Sequence, residues 1–402
     1  TQITQKTNYY DAVIAGAGPA GSAAARVLAK PGFKILLLEE HSRIGVPLHC
    51  SGLVTPRTLD EAGFGNNLVL NRITGAHIHA ASGTNLTIGG KETQALVIDR
   101  VELDQMLAKE AQDYGADLRL NTKLVSIERH KGELRIRTQK NGIDNIINTK
   151  LLIGADGAHS RVARYMGLSE PVERVVGLGG EGILPHTDKD NVNVFVGNAF
   201  SPGWFAWTIP LGNGRTRIGI GTSIGMKPSE GLARLFETFP EHFKGWKPSR
   251  WTGGTIPLWS RRDIVADNVM LVGDAAAQVK PTSGGGIYPG LVGGRLAAQV
   301  AIEALSKNDL SNNTLKLYPK LWNDSFGKEF KKGSDLRHVF RTLEDRDFER
   351  LIQLFGRPRL LQTINKYGDI DFPGRMFTRL TSLAPILWMF VRTPLRYTPL
   401  WK

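Results

Sequence analysis

The sequence predicts an α/β protein: a Rossmann-like dinucleotide-binding unit, an antiparallel β-sheet domain and a C-terminal helical region. Three observations predict it. The stretch Asp11-Ala-Val-Ile-Ala-Gly16-Ala-Gly18-Pro-Ala-Gly21 runs an apolar strand through three glycines into an alanine-rich helix. Two further apolar strands end in a glycine beside an acid, at Asp156-Gly157 and at Gly273-Asp274. Between these two, from about Val172 to Leu258, short segments separated by turn residues read as strands of an antiparallel sheet.

The glycine turn comes first. Gly16 takes the tight turn, Gly18 lets the backbone approach a pyrophosphate, and Gly21 lets helix and strand pack closely. Free amides at the helix N-terminus, with Ala20 in the first turn, then hold phosphate oxygens. Lys34 to Leu38 forms the second strand and ends in Glu39 and Glu40. Glu39 falls about twenty residues past the glycines, where an acid accepts ribose hydroxyls.

A loop follows, Gly45-Val-Pro-Leu-His-Cys50-Ser51-Gly52, carrying the only thiol. A helix is expected from Pro56 to near Gly63, then strands over Ile73 to His79 and Asn85 to Ile88. Asp99 reads as an N-cap with Glu102 in capping-box position, and Leu103, Leu107 and Ala111 share one helical face. Leu118 to Asn121 and Leu124 to Glu128, which includes Val125, resume strands, and Asn141-Gly142 turns a hairpin. Phe205 to Leu211 and Thr216 to Gly221 form another around Gly212-Asn213-Gly214. After Val269 to Val272 comes the glycine run Ser283-Gly284-Gly285-Gly286-Ile287, then a helix from about Gly290 to Leu305. Beyond Asn308 the pattern is helical and increasingly basic.

At 402 residues the chain exceeds what one hydrophobic core usually organises. We expect dinucleotide-binding segments 8–70, 95–165 and 265–305, an antiparallel-sheet substrate domain of 71–94 and 166–264, and a helical region 306–402. No apolar run approaches the roughly 18 residues of a membrane span, and no apolar core of a signal peptide opens the chain. One cysteine excludes an internal disulfide and a cysteine-ligated cluster, and no metal site is expected. A cytoplasmic setting is the reading. The formal charge of +13 suits nucleic acid, an anionic membrane or a phosphorylated substrate. No compact basic patch with a recognition fold appears in the body of the chain, which sets nucleic acid aside. Pro373 to Lys402 holds Arg375, Arg379, Arg392, Arg396 and Lys402 and no acid. With the apolar Leu383-Ala-Pro-Ile-Leu-Trp388-Met-Phe390-Val-Arg392, this tail reads as an interfacial helix on the inner face of an anionic membrane, the other reading being a terminal helix docked on the body or a dimer contact.

The three glycine–acid stations should project from the carboxyl ends of one sheet, where such folds bind ligands. A nicotinamide cofactor needs only the first. A flavin needs more, because its ribityl chain and isoalloxazine extend away from the adenosine. Asp274 is placed for ribityl hydroxyls, and the amides of Gly284 to Ile287 for the pyrimidine end.

The combination resembles the FAD-dependent group sharing the para-hydroxybenzoate hydroxylase fold, and within it the geranylgeranyl reductase family, over roughly residues 8–330. The carrying stretches are Gly16 to Gly21, Cys50-Ser-Gly-Leu-Val-Thr-Pro-Arg57, Asp99 to Asp104, Gly154 to Arg164, Gly273 to Gly286, and Pro202-Gly-Trp-Phe205-Ala-Trp207-Thr-Ile209-Pro210. In the last, Phe205 and Ile209 stand where the family has tyrosine and phenylalanine, so the phenol is absent. Motifs and resemblance together imply a cofactor site of Gly16, Gly18, Ala20, Gly21, Glu39, Glu40, Cys50, Ser51, Gly52, Arg100, Val125, Asp156, Gly273, Asp274, Gly285, Gly286 and Ile287. The implied substrate pocket is Trp204, Phe205, Trp207 and Pro210.

The resemblance implies hydride transfer from reduced FAD to an isolated alkene, with a proton added at the other carbon. The electron donor is NAD(P)H or a protein such as ferredoxin. The expected substrate is a geranylgeranyl chain on an archaeal-type lipid precursor; geranylgeranyl diphosphate, its chlorophyll ester or a quinone side chain are others. Aromatic faces stabilise positive charge on the substrate. Cys50 reads as the proton relay or as a buried thiol, and its loop setting favours the relay. His49 and His159 read as surface or packing residues, and Arg57 as a phosphate contact or a solvated cation. A flavin-dependent halogenase or hydroxylase is the alternative, because Gly203 to Pro210 comes close to a halogenase stretch.

Overall fold

The computed structural model describes residues 8–258 and 261–383. Its central sheet runs Val265–Ala266, Val269–Leu271, Ile143–Gly154, Asn8–Ala15, Ile35–Leu38, Asp117–Arg119. All neighbours from Val269–Leu271 to Asp117–Arg119 are parallel. Such strands are covered on both faces, which is why Ala12, Val13, Ile14 and Leu36 are fully buried and the sequence there does not alternate. The hairpin Thr122–His130 and Glu133–Lys140 lies antiparallel on the first half of Ile143–Gly154. The turn from Glu133–Lys140 into Ile143–Gly154 is made by Asn141 and Gly142, both at positive φ (51° and 80°), as a two-residue hairpin turn demands.

The expected helix after the glycine turn spans Pro19–Ala29, with proline in its first turn. It packs on the long helix Ile287–Lys307, which starts at the end of the glycine run and not at Gly290. The backbones touch: a Cβ on Gly294 would lie 2.2 Å from the Ala20 carbonyl oxygen. Asp99 caps the helix Arg100–Asp113 by accepting from the Glu102 amide.

A second sheet runs Lys247–Leu258, Glu173–Ile183, Arg215–Thr222, Phe205–Gly212, Asn191–Val196, Gly75–Ala80, Asn85–Gly89. Every pairing is antiparallel except Asn191–Val196 with Gly75–Ala80. One face buries Phe195, Phe200, Ile218 and Ile220 against Leu232, Leu235 and Phe243 of the helices Pro228–Thr238 and Pro240–Phe243. The other turns Val175 and Trp204 toward Val279, which lies in the loop after the central sheet. The strand expected over Ile73 to His79 is two. Val69–Ile73 joins a small sheet with Ala95–Ile98 and Leu53–Val54, and Gly75–Ala80 crosses to the large one.

After Asn308 the chain is helical. Tyr318, Trp322, Phe326 and Phe330 bury against the central-sheet core. The helix Pro373–Leu383 packs Leu380 among Leu360 and Ile364. Beyond Leu383 the expected interfacial helix, with Arg392, Arg396 and Lys402, lies outside the described residues. No helix among the described residues is long and apolar enough to cross a membrane.

Candidate active site

Gly16 sits at φ +107°, and a Cβ on it would lie 2.3 Å from the Ala155 oxygen. The first and second stations thus abut. A Cβ on Gly21 would lie 2.0 Å from the Gly16 oxygen, whereas one on Gly18 would meet nothing within 4 Å. Gly18 therefore faces open space at a helix N-terminus that no side chain caps. Glu39 is 9% exposed. It accepts from the Ala17 amide at 3.1 Å with one oxygen and from the His41 amide at 3.0 Å with the other. Glu40 is exposed, 3.8 Å from Lys123. Val125, half-buried, follows Leu124, whose carbonyl accepts from Arg161.

Asp156 spends its carboxylate locally. It accepts from Ser160 Oγ at 2.6 Å and from the Arg161 and Val162 amides at 2.7 and 3.0 Å. Burial nevertheless pushes its pKa up. Asp274 differs: its carboxylate has no hydrogen-bond partner among the described residues. Burial lifts its pKa to about 6, opposed by the charge of Arg100. A Cβ on Gly286 would lie 2.9 Å from Asp274 Oδ1, so acid and glycine run face each other. Gly273 lies against Ala20, bringing the third station onto the first helix.

Arg100 is buried and grips both Asp104 oxygens through Nη2 at 2.9 and 2.8 Å, while its Nε finds no partner. Burial works against its charge, yet Asp104 and the neighbouring Cys50 raise its pKa. Cys50 is half-buried, and its Sγ accepts from the Gly52 amide at 3.3 Å. It packs on the cluster that holds Ile287, so thiol loop and glycine-run helix converge. Ser51 gives its carbonyl to Arg217 Nη1 at 2.7 Å. His49 Nδ1 lies 2.5 Å from the Gly253 carbonyl, and His159 Nε2 lies 3.0 Å from Thr255 Oγ1.

Trp204 is 1% exposed and stacks on Phe205 at 4.9 Å; Phe205 meets Trp207 edge-on at 5.8 Å. A Cβ on Gly284 would lie 3.1 Å from Trp204, which places the indole against the glycine run. Pro210 does not join this wall. Alternation along the strand puts it on the face opposite Phe205 and Trp207, with its carbonyl accepting from Asn71; Ile209 takes the place beside Trp207. Arg57 contacts the C-terminal segment: it bonds Asp369 at 3.2 Å and Asp371 at 3.0 Å and lies over Phe372.

Two groups of residues escaped the sequence reading. Arg337 lies 4.6 Å over the Trp204 ring and donates to Glu173 at 2.6 Å. Lys280, beside Gly285, donates to buried Asp371 at 2.7 Å. Arg337 lies in a basic helix and Lys280 in a loop, and neither setting carries a periodic signal of such burial. The donor set fits FAD: open space at Gly18, an unpartnered Asp274 carboxylate and an unpartnered Arg100 Nε converge on one rim.

The family model for the FAD binding domain matches residues 9–236. A digeranylgeranylglycerophospholipid reductase of Methanothrix thermoacetophila is 31% identical over 85% of this chain and 90% of its own. An uncharacterized protein of Methanocaldococcus jannaschii is 32% identical over 90% of this chain and 92% of its own. The crystal structure of a geranylgeranyl bacteriochlorophyll reductase-like protein from Thermoplasma acidophilum superposes with a TM-score of 0.87 at 25% identity, covering 96% of this chain and 100% of that one.

Proposed function

From the premise that this chain belongs to the FAD-dependent geranylgeranyl reductase family that includes the digeranylgeranylglycerophospholipid reductases, we propose that it saturates the geranylgeranyl chains of archaeal-type membrane lipid precursors. It is a FAD-dependent oxidoreductase. When bound and reduced, FAD supplies the hydride. The chain's own residues do the rest. The Gly18 opening and the first-turn amides take the pyrophosphate, Glu39 the ribose, and Asp274 with the Gly284–Ile287 amides the ribityl and pyrimidine portions.

The observation that carries the reading is the aromatic wall against the glycine run. Trp204, Phe205 and Trp207 form an apolar surface where the glycine run meets the large sheet. Protonating an alkene develops positive charge on the substrate, and each such ring face stabilises it by about 0.5–2 kcal/mol where water is excluded. Cys50, on the loop that converges there, delivers the proton. The electron donor is NAD(P)H or a protein such as ferredoxin. The enzyme works at the inner face of the membrane, held by its basic tail.

Anaerobic single turnover from pre-reduced enzyme with a digeranylgeranyl lipid, read by mass spectrometry, tests the reaction. Saturated double bonds are expected; oxidised flavin without saturated lipid refutes it. Cys50→Ser is expected to keep its FAD and to slow saturation. A wild-type rate in Cys50→Ser and Cys50→Ala alike would make the thiol structural.

A further inference from the structure

On the face of the large sheet that bears the tryptophans, three arginines converge on the carboxylate of Glu181. Arg215 Nη2 contacts Oε1, while Arg217 Nε and Arg250 Nη2 reach Oε2 at 3.1 and 2.7 Å. Three guanidinium groups on one carboxylate leave two positive charges in excess. Burial alone would raise the Glu181 pKa; Arg215, Arg250 and Arg217 overturn this and hold it down to about 2. The Arg215 and Arg250 side chains are 52% and 48% exposed, and among the described residues each bonds only Glu181, which leaves most of its five donors open to solvent. Arg217 is tied inward to the Ser51 carbonyl, next to Cys50.

The strand register shows what adjoins this cluster. Glu181 pairs with Arg217 and Arg250, Gly179 with Gly219 and Thr252, and Gly177 with Gly221 and Gly254. Trp207 lies on Gly219 and Trp204 on Gly221, where a Cβ would approach each ring to 2.2 Å. On Gly177 a Cβ would meet only backbone oxygens within 4 Å, and on Gly254 only His49. Gly177 and Gly179 thus form a floor with little side-chain bulk between the tryptophan wall and the His49–Cys50 loop, a Cβ on Gly179 meeting the Ile218 oxygen at 3.0 Å and Thr252 Cγ2 at 3.7 Å. The indole N–H of Trp204, at 1% exposure, has no partner among the described residues. From Glu181 to Val175, beside Trp204, the strand rises about 20 Å at 3.4 Å per residue, the order of an extended geranylgeranyl chain.

We propose that Arg215 and Arg250, seated on Glu181 with Arg217, bind the phosphate of a phosphorylated polyprenyl substrate whose chain lies along the Gly177–Gly179 floor toward the glycine run. The site rests on the reading above and adds to it where the charged end sits. Guanidinium pairs grip phosphate bidentately, and Glu181 keeps them aimed when the site is empty.

The test is the double variant R215Q/R250Q as FAD-loaded, full-length enzyme. The substrates are digeranylgeranylglyceryl phosphate and the same lipid without phosphate. For the phosphorylated lipid, KM should rise by about tenfold or more with kcat within about twofold, as expected for losing hydrogen bonds to a charged group. For the neutral lipid KM should not move. Equal change on both lipids, or on neither, overturns the proposal. So does an unchanged lipid KM with a raised KM for NADPH, which would assign the arginines to the donor's phosphates. Equilibrium binding of geranylgeranyl phosphate, geranylgeraniol and inorganic phosphate provides a second measurement independent of turnover. If the wild type reduces neither lipid, the proposed reaction fails. The arginine site still stands if the variant loses affinity for geranylgeranyl phosphate alone, and falls if it does not.

Discussion

Gly18→Val should separate cofactor binding from folding. Gly18 has φ −70° and ψ −178°, a conformation any residue adopts, and a Cβ there would meet nothing within 4 Å. The substitution therefore costs the FAD-free fold less than about 1 kcal/mol, and the smaller unfolded-state entropy offsets part of that. The same Cβ fills the space where a pyrophosphate would reach the first-turn amides. Two lost hydrogen bonds to a charged group, at about 1.5–3 kcal/mol each, weaken FAD binding by about a hundredfold or more. Gly21→Ala is the control: its Cβ would overlap the Gly16 oxygen at 2.0 Å, so it should destabilise the fold itself by about 1–3 kcal/mol. Circular-dichroism melts of the FAD-free proteins give the stabilities, and titration calorimetry gives the FAD affinities. The reasoning fails if Gly18→Val binds FAD like the wild type, or if it melts as early as Gly21→Ala.

The Asp274 carboxyl, lifted by burial from 3.8 to about 6, holds its proton more tightly in the folded chain than in the unfolded one. The FAD-free protein should therefore lose stability as pH rises from about 4 through about 6. Asp274→Asn should flatten that slope in urea titrations and weaken FAD binding; an unchanged slope would refute the assignment. Arg337→Met should cost about 3 kcal/mol in urea unfolding, because it strands Glu173, 8% exposed, with only Arg341 at 3.6 Å. A cost below about 1 kcal/mol would show that Glu173 is satisfied without it. Wild-type protein should float with anionic vesicles at low salt, and a chain ending at Phe372 should not; equal flotation would assign the tail to packing.

The features legible in the sequence were those whose cause is local. Gly16 to Gly21, with Glu39 at the end of the next strand, was legible because a positive-φ turn, a close helix–strand contact and an acid must follow one another within a single unit. Asn141-Gly142 and Asp99 were legible for the same reason: turn dihedrals and a cap bond are satisfied by neighbours in the chain. The split of the strand at Thr74 was not, since Val69–Ile73 and Gly75–Ala80 are equally good strands and only their partners distinguish them. Pro210 was assigned to the wall by its motif, but the pleat turns it to the other face. Arg57 and Arg337 look like ordinary surface cations in sequence. Their partners, Asp369, Asp371, Glu173 and Trp204, lie more than a hundred residues away. Glu181 meets its three arginines from the two strands that flank its own, a juxtaposition set by hydrogen-bond register and sheet order. Local dihedral preference writes itself into neighbouring residues, whereas the pairing of distant charges is decided only when the whole sheet closes.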